Sequence, residues 1–182
     1  LHGDIQTLPT CNRRVCAGHQ AFWVPDQVES GVPCEDRIAL RISLIREETR
    51  EVIAEVDKLY NSDEPEKRVR ANILKELCDL QYVLSGSYLE FGMGHHIKPF
   101  EFPLRIKEPI NAHTLGKVQR LSDDLEDAMR TGDLIDIFYR FQELQRQLQM
   151  IVSGSDEIHH LFGRAFGAVH DNNMQKLIER AD

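Results

Sequence analysis

The chain has 182 residues and a formal net charge of −8, enough for one domain with a sizeable core and too acidic for a broad nucleic-acid surface. Apolar content is 41% and no apolar run approaches the roughly 18 residues of a membrane span. Four cysteines in a chain this long do not make a disulfide framework, which points to a reducing, cytoplasmic setting. Residues 1–34 are rich in Gly, Pro, Cys and polar residues and read as an arm, with a short turn of helix at Gln20-Ala21-Phe22-Trp23. Cys11, Cys16 and His19 have the C-x4-C-x2-H spacing of a zinc half-site but lack a fourth ligand, and the alternative is ordinary thiols. Residues 1–20 lack the apolar stretch of a signal peptide, and the start at Leu1 leaves a segment upstream an open question.

From Glu35 the pattern turns helical. Ile38, Ile42, Ile45, Val52, Val56 and Leu59 recur at spacings of three, four or seven. Asn61-Ser62-Asp63-Glu64-Pro65 breaks this helix, and Asp63 with Glu66 is placed as a capping box for the next. The second helix is expected over roughly 66–91, with Val69, Ile73, Leu77, Leu80, Leu84 and Tyr88 as its stripe and Gly92 and Gly94 as its stop. Pro99, Pro103 and Pro109 mark an irregular crossover, after which Thr114 is expected to cap a third helix. Thr131-Gly132-Asp133 turns the chain into a fourth, and Ser153-Gly154-Ser155 leads into a fifth, covering about 156–178. Few segments alternate with period two. The expectation is an all-α bundle of four to five helices, a single domain over residues 35–182 behind the arm.

Chemistry concentrates on the first two helices. Glu47, Glu48 and Glu51 form Glu-Glu-x-x-Glu, and after 24 residues Glu76 and Asp79 form Glu-x-x-Asp. Residues three or four apart share a helical face, so packing the two helices brings four or five carboxylates together. Such a concentration of charge is unfavourable unless a cation neutralises it, and hard oxygen ligands suit Mg²⁺, with Mn²⁺ as a substitute. The rival reading is a solvated face of i,i+4 ion pairs with Arg46, Arg50 and Lys75.

The later helices look like a worn copy. An offset of 76 carries Glu47, Glu48 and Glu51 onto Asp123, Asp124 and Asp127, and an offset of 64 carries Glu76 and Asp79 onto Arg140 and Glu143. Residues 35–92 then form an intact hairpin, and 114–182 a degenerate one followed by the last helix. Chance alignment of amphipathic helices is the competing explanation, with the three aspartates as solvated charge.

Together these motifs resemble the all-α NTP pyrophosphatase superfamily, which includes MazG, phosphoribosyl-ATP pyrophosphohydrolase and the dimeric all-α dUTPases. The likeness rests on Glu47, Glu48, Glu51, Glu76 and Asp79, on the stretch Ala39–Glu48, and on His170-Asp171-Asn172-Asn173-Met174-Gln175-Lys176, similar to a late His-x-x-Asn-Met-x-Lys motif. It covers roughly 35–92 and 155–178; residues 95–154 stand apart from the short members. The resemblance implies a Mg²⁺-dependent hydrolase that splits a nucleoside triphosphate, dUTP among the candidates, into monophosphate and pyrophosphate. Glu48, Glu51, Glu76 and Asp79 would hold the metal and Glu47 would act as general base. Lys176 would meet the phosphate tail and Asn173 a phosphate or the sugar; apart from the resemblance, Trp23 is the best candidate to stack on the base because its arm is otherwise polar. The expected assembly is a homodimer or a single chain that imitates one, without nucleic acid or membrane as partner. The alternatives are a non-catalytic helical protein binding nucleotide or partner through a degenerate site, and a di-iron bundle, for which Glu157-x-x-His160 supplies one of the two motifs required.

Overall fold

Five α-helices make up nearly all of the described chain: α1 (Glu35–Asn61), α2 (Glu66–Glu90), α3 (Ala112–Thr131), α4 (Leu134–Gly154) and α5 (Asp156–Ala181). The structure is a computed structural model, and it describes residues 30–93 and 107–181, with side chains to Lys176. No strand occurs among the described residues, so the chain is all-α as its periodicity predicts. None of the helices is long and apolar enough to cross a membrane among the described residues.

The apolar stripes meet in one core. Val52 and Val56 of α1 and Ile73, Leu77 and Leu84 of α2 belong to a single buried cluster, which Val118, Leu125, Ile137, Phe141 and Leu144 continue into α3 and α4. Phe141 anchors the centre. It stacks on Tyr88 at 4.3 Å between ring centroids and meets Phe91 edge-on at 5.8 Å, both favourable aromatic geometries. The Tyr88 and Leu84 positions expected from the α2 stripe are fully buried.

Two polar seams cross this core. Between α2 and α4, Gln81 and Gln145 exchange both amide hydrogen bonds: Gln81 Nε2 donates to Gln145 Oε1 at 3.0 Å, and Gln145 Nε2 to Gln81 Oε1 at 2.7 Å. Between α1 and α3, Thr49 Oγ1 donates to Ser122 Oγ at 3.3 Å, and Arg46 pairs with Glu126. Helix α5 lies along α2 in the same direction. The Cys78 thiol points at the Phe162 carbonyl at 3.9 Å, and one turn on the Tyr82 ring lies 6.1 Å from Phe166 and 6.0 Å from His170.

Two caps differ from the sequence expectation. The α2 N-cap is Pro65, with no side-chain cap bond, so Glu66 is the first helical residue instead of the third and pairs with Arg70 at 2.6 Å. At α3 the N-cap is Asn111, and Thr114 is its reciprocal partner: Thr114 N donates to Asn111 Oδ1 at 3.0 Å and Asn111 N to Thr114 Oγ1 at 3.1 Å. A hydroxyl thus takes the place that Glu or Gln holds in the usual capping box. The α3–α4 turn follows expectation. Gly132 takes the left-handed φ of 74° that closes α3, and Asp133 caps α4 through Ile135 N and Asp136 N.

Candidate metal centre

Glu48 of α1 and Glu76 and Asp79 of α2 each present a carboxylate oxygen, and these oxygens lie within 4.8 Å of one another. Local packing dictates their directions. On α1, Ile45, Thr49 and Val52 are buried, which leaves Glu48 at the edge of the buried stripe, half-exposed and facing α2. On α2, Glu76 sits between the buried Ile73 and Leu77 and is itself only 7% exposed, one turn before the half-exposed Asp79. Glu51 is exposed, yet its carboxyl comes within hydrogen-bonding reach of Glu76. Glu47 is exposed at the rim, near enough for its charge to act on Glu48.

The electrostatics record the crowding. Burial, and then the charges of Asp79, Glu51, Glu76 and Glu47, raise the Glu48 pKa from 4.5 to about 7. Glu76 is raised as well, by burial first and by Glu51, against the opposing pull of Lys75. Lys75 pairs with the cluster as the rival reading of the sequence expects. Its ammonium lies 2.9 Å from Glu76 Oε1 and 2.9 Å from Asp79 Oδ2. Burial works against its charge, but the hydrogen bonds to Glu76 and Asp79 prevail and hold its pKa above the ordinary value. Its signal in the sequence was the i,i+4 spacing to Asp79.

A second charged cluster lies on the same α1–α2 seam. Arg37 and Arg41 both pair with Glu90 Oε1, while Glu90 Oε2 and the Nε atoms of both arginines are buried without hydrogen-bond partners. Burial acts to raise the Glu90 pKa, but the hydrogen bonds from Arg41 and Arg37 outweigh it and lower it. Arg41 stands one heptad before Glu48, so the two share a helical face.

The other residues named from sequence are more dispersed. Asn173 is half-buried and Lys176 exposed on α5. Because α5 runs with α2, and Phe166 and His170 flank the level of Tyr82, both stand roughly 10–20 Å farther along α2 than Asp79, toward Glu90. Asp123 and Asp127 are exposed on α3. Asp124 instead meets a cation of the chain itself: Arg140 Nη1 lies 3.5 Å from Asp124 Oδ2 and 2.9 Å from Glu143 Oε2, and Arg140 Nε lies 3.2 Å from Asp136 Oδ1. No metal-binding grouping forms around the three aspartates among the described residues. Glu157 and His160 are both exposed, whereas a di-iron site projects its ligands into the bundle interior. Cys78 is buried and Cys34 exposed; Trp23, Cys11, Cys16 and His19 lie outside the described residues. A groove of about 460 Å³ opens at the α1–α2 turn, between Lys58, Tyr60, Arg70 and Pro109, and shares no residue with the acidic cluster.

Compared with known proteins, the chain matches no family model, no curated protein and no solved structure.

Proposed function

We propose that the protein is a Mg²⁺-dependent nucleoside triphosphate pyrophosphohydrolase, with Mn²⁺ able to substitute, acting on the cytoplasmic nucleotide pool. The observation that carries this reading is the approach of Glu48, Glu76 and Asp79 to within 4.8 Å, with the Glu48 pKa pushed up to about 7 by burial and then by its acidic neighbours. The donor set fits the cation. All the ligands are hard carboxylate oxygens, and their spacing is close to the roughly 3–4 Å between oxygens around an octahedral Mg²⁺. Two helices locked by the core hold them in a state that positive charge relieves. Glu48, Glu51, Glu76 and Asp79 would hold the metal, which when bound neutralises polyphosphate charge and acidifies a coordinated water.

The chain's own groups do the rest. Glu47, exposed at the rim, is placed to accept the proton of the attacking water. Lys75, whose ammonium bridges Glu76 and Asp79 at the exposed edge of the cluster, would offer its charge to phosphate oxygens when those carboxylates hold a metal. Asn173 and Lys176 extend the site along α2 and meet the far end of the phosphates or the sugar. Trp23 remains the proposed stacking partner of the base.

Lys75 also favours a second reading. An ammonium bridging Glu76 and Asp79 at 2.9 Å neutralises part of the cluster without a metal, as a non-catalytic binding protein would need. A hydrolysis panel over the deoxy- and ribonucleoside triphosphates at millimolar Mg²⁺ and Mn²⁺, with products identified, separates the two. Metal-dependent release of pyrophosphate and a monophosphate is expected from at least one nucleotide. Silence across the whole panel would sink the enzyme reading.

A further inference from the structure

We propose that α3–α4 is a second copy of the α1–α2 hairpin, facing it across an internal pseudo-two-fold axis, and that the guanidinium of Arg140 fills the cation site of that copy. The inference rests on the cation-site reading of the first hairpin.

Symmetry is the first support. In a two-fold arrangement a residue on the axis touches its own equivalent, and off the axis i touches j while j touches i. With the offset of 64, Gln145 is the equivalent of Gln81, and these two exchange both amide hydrogen bonds with each other. With the offset of 76, Glu126 is the equivalent of position 50 and Ser122 of position 46. Arg46 meets Glu126, and Thr49, next to position 50, meets Ser122. The crossing is therefore centred on the level of the equivalent residues Glu48 and Asp124, with its contacts exchanged to within one residue. Unrelated amphipathic helices have no reason to place a self-equivalent pair in one crossing and to centre the other on equivalent residues.

The hairpin tips explain why the offsets differ. Measured from Glu48 and Asp124, α3 is six residues shorter than α1 at its end; measured to Glu76 and Arg140, α4 starts four residues later than α2. The connecting turn has two residues in place of four, which accounts for the twelve by which the offsets disagree. A trimmed hairpin must lose similar lengths from both arms if the register near its open end is to survive, and this one has.

The chemistry of the site follows. The equivalents of Glu48, Glu76 and Asp79 are Asp124, Arg140 and Glu143, and Arg140 Nη1 lies between the two remaining carboxylates, at 3.5 and 2.9 Å. A fixed, always-charged guanidinium does there what a divalent cation would do in the first hairpin. The chain thus has one cation site whose three carboxylates are all in place, bridged by the displaceable ammonium of Lys75, and one in which an arginine stands at a ligand position itself.

The test counts bound Mn²⁺ by electron paramagnetic resonance, with Arg140→Glu introduced both alone and on a Glu48→Gln background that silences the first site. Arg140→Glu should bind one further Mn²⁺ per chain, retained with Glu48→Gln and lost again with Asp124→Asn. The wild-type count reports the first site separately, so failure there is distinguishable from failure here. No gain in Arg140→Glu overturns the proposal whatever the wild type binds. Should that variant not fold, Arg140→Gln replaces it. On the Glu48→Gln background its melting temperature should rise with millimolar Mn²⁺ in a manner that Asp124→Asn abolishes, and a melting temperature indifferent to Mn²⁺ overturns the proposal equally.

Discussion

A carboxyl that keeps its proton to about pH 7 is a weak ligand below that pH and a willing one above it. Glu48 reaches that state because burial and four neighbouring carboxylates all oppose its charge. Replacing it with the neutral, isosteric Gln removes a ligand and also removes repulsion. Glu48→Gln should therefore lower metal-dependent turnover by about 10²–10³-fold, while the metal-free protein melts no lower than the parent at pH 8. A variant that keeps most of its activity would take Glu48 out of the site. Lys176 makes a contrasting case. It is exposed and stands well along α2 from the carboxylates, so its contribution is that of one solvated ion pair. Lys176→Ala should raise KM by about three- to fivefold with kcat little changed, and an equal loss in kcat would instead place it in the transition state.

Among the elements, the α2–α4 crossing carries the most specific polar contact. Gln81 is 2% and Gln145 6% exposed, so truncating either one strands the other amide in the core. Gln81→Leu or Gln145→Leu alone should cost about 1–3 kcal/mol, whereas the double Leu variant should recover part of that loss, since removing both partners leaves nothing unsatisfied. Chemical denaturation of the four-member cycle measures the coupling, and strictly additive losses would mean the amides do not act as a pair. A second weak point is the junction of α4 and α5, where a Cβ on Gly154 would lie 1.9 Å from the Glu108 carbonyl oxygen. Glu108 is itself pinned by Lys117, Gln147 and the Met150 carbonyl, so the backbone there has little room to yield. Gly154→Ala should cost about 1–3 kcal/mol, the usual penalty of overpacking. The five helices were legible because the 3.6-residue period survives in every one, from Ile42–Val56 through Ile137–Leu148. The caps were less so. Asp63 and Glu66 have capping-box spacing, but Pro65 takes the N-cap position; Asn111 lacks the usual mark of a capping box because its partner at the third position is Thr114 and not Glu or Gln. Caps depend on where backbone donors fall, and periodicity does not report that.

At the scale of the molecule, the approach of Glu48 to Glu76 and Asp79 could be read from spacing because each motif lies on one helical face and the two helices are antiparallel neighbours. The i,i+4 spacing of Lys75 to Asp79 was legible too, but not that Lys75 would also bridge to Glu76 or that Arg140 would be drawn to Asp124 on another helix; those choices are made by local charge once the helices have packed. The same charge couples the fold to pH and to cations. Glu48 has a folded pKa of about 7 against an ordinary 4.5. Its contribution to stability is therefore present below pH 4.5 and is lost as pH rises through 7. Glu90 has the opposite sign: its folded pKa is lowered by Arg41 and Arg37, so its contribution is present above pH 4.5 and is lost on acidification through the folded value. Comparing the parent with Glu48→Gln cancels Glu90 and the other groups that do not interact with Glu48, leaving Glu48 and the carboxylates coupled to it. The difference in melting temperature between variant and parent, both metal-free, should grow in favour of Gln from pH 4.5 to 7 and level off above it. Adding Mg²⁺ at a hundredfold excess over its dissociation constant should stabilise the parent by about 2.7 kcal/mol, roughly 5–10 °C in a chain of this size. That gain should be largest above pH 7, where Glu48 gives up its proton without competition, reversible with EDTA, and absent from Glu48→Gln. A pH-independent difference between variant and parent would show that Glu48 titrates like a solvated carboxylate. A Mg²⁺ shift that survives in Glu48→Gln would place the cation elsewhere on the molecule.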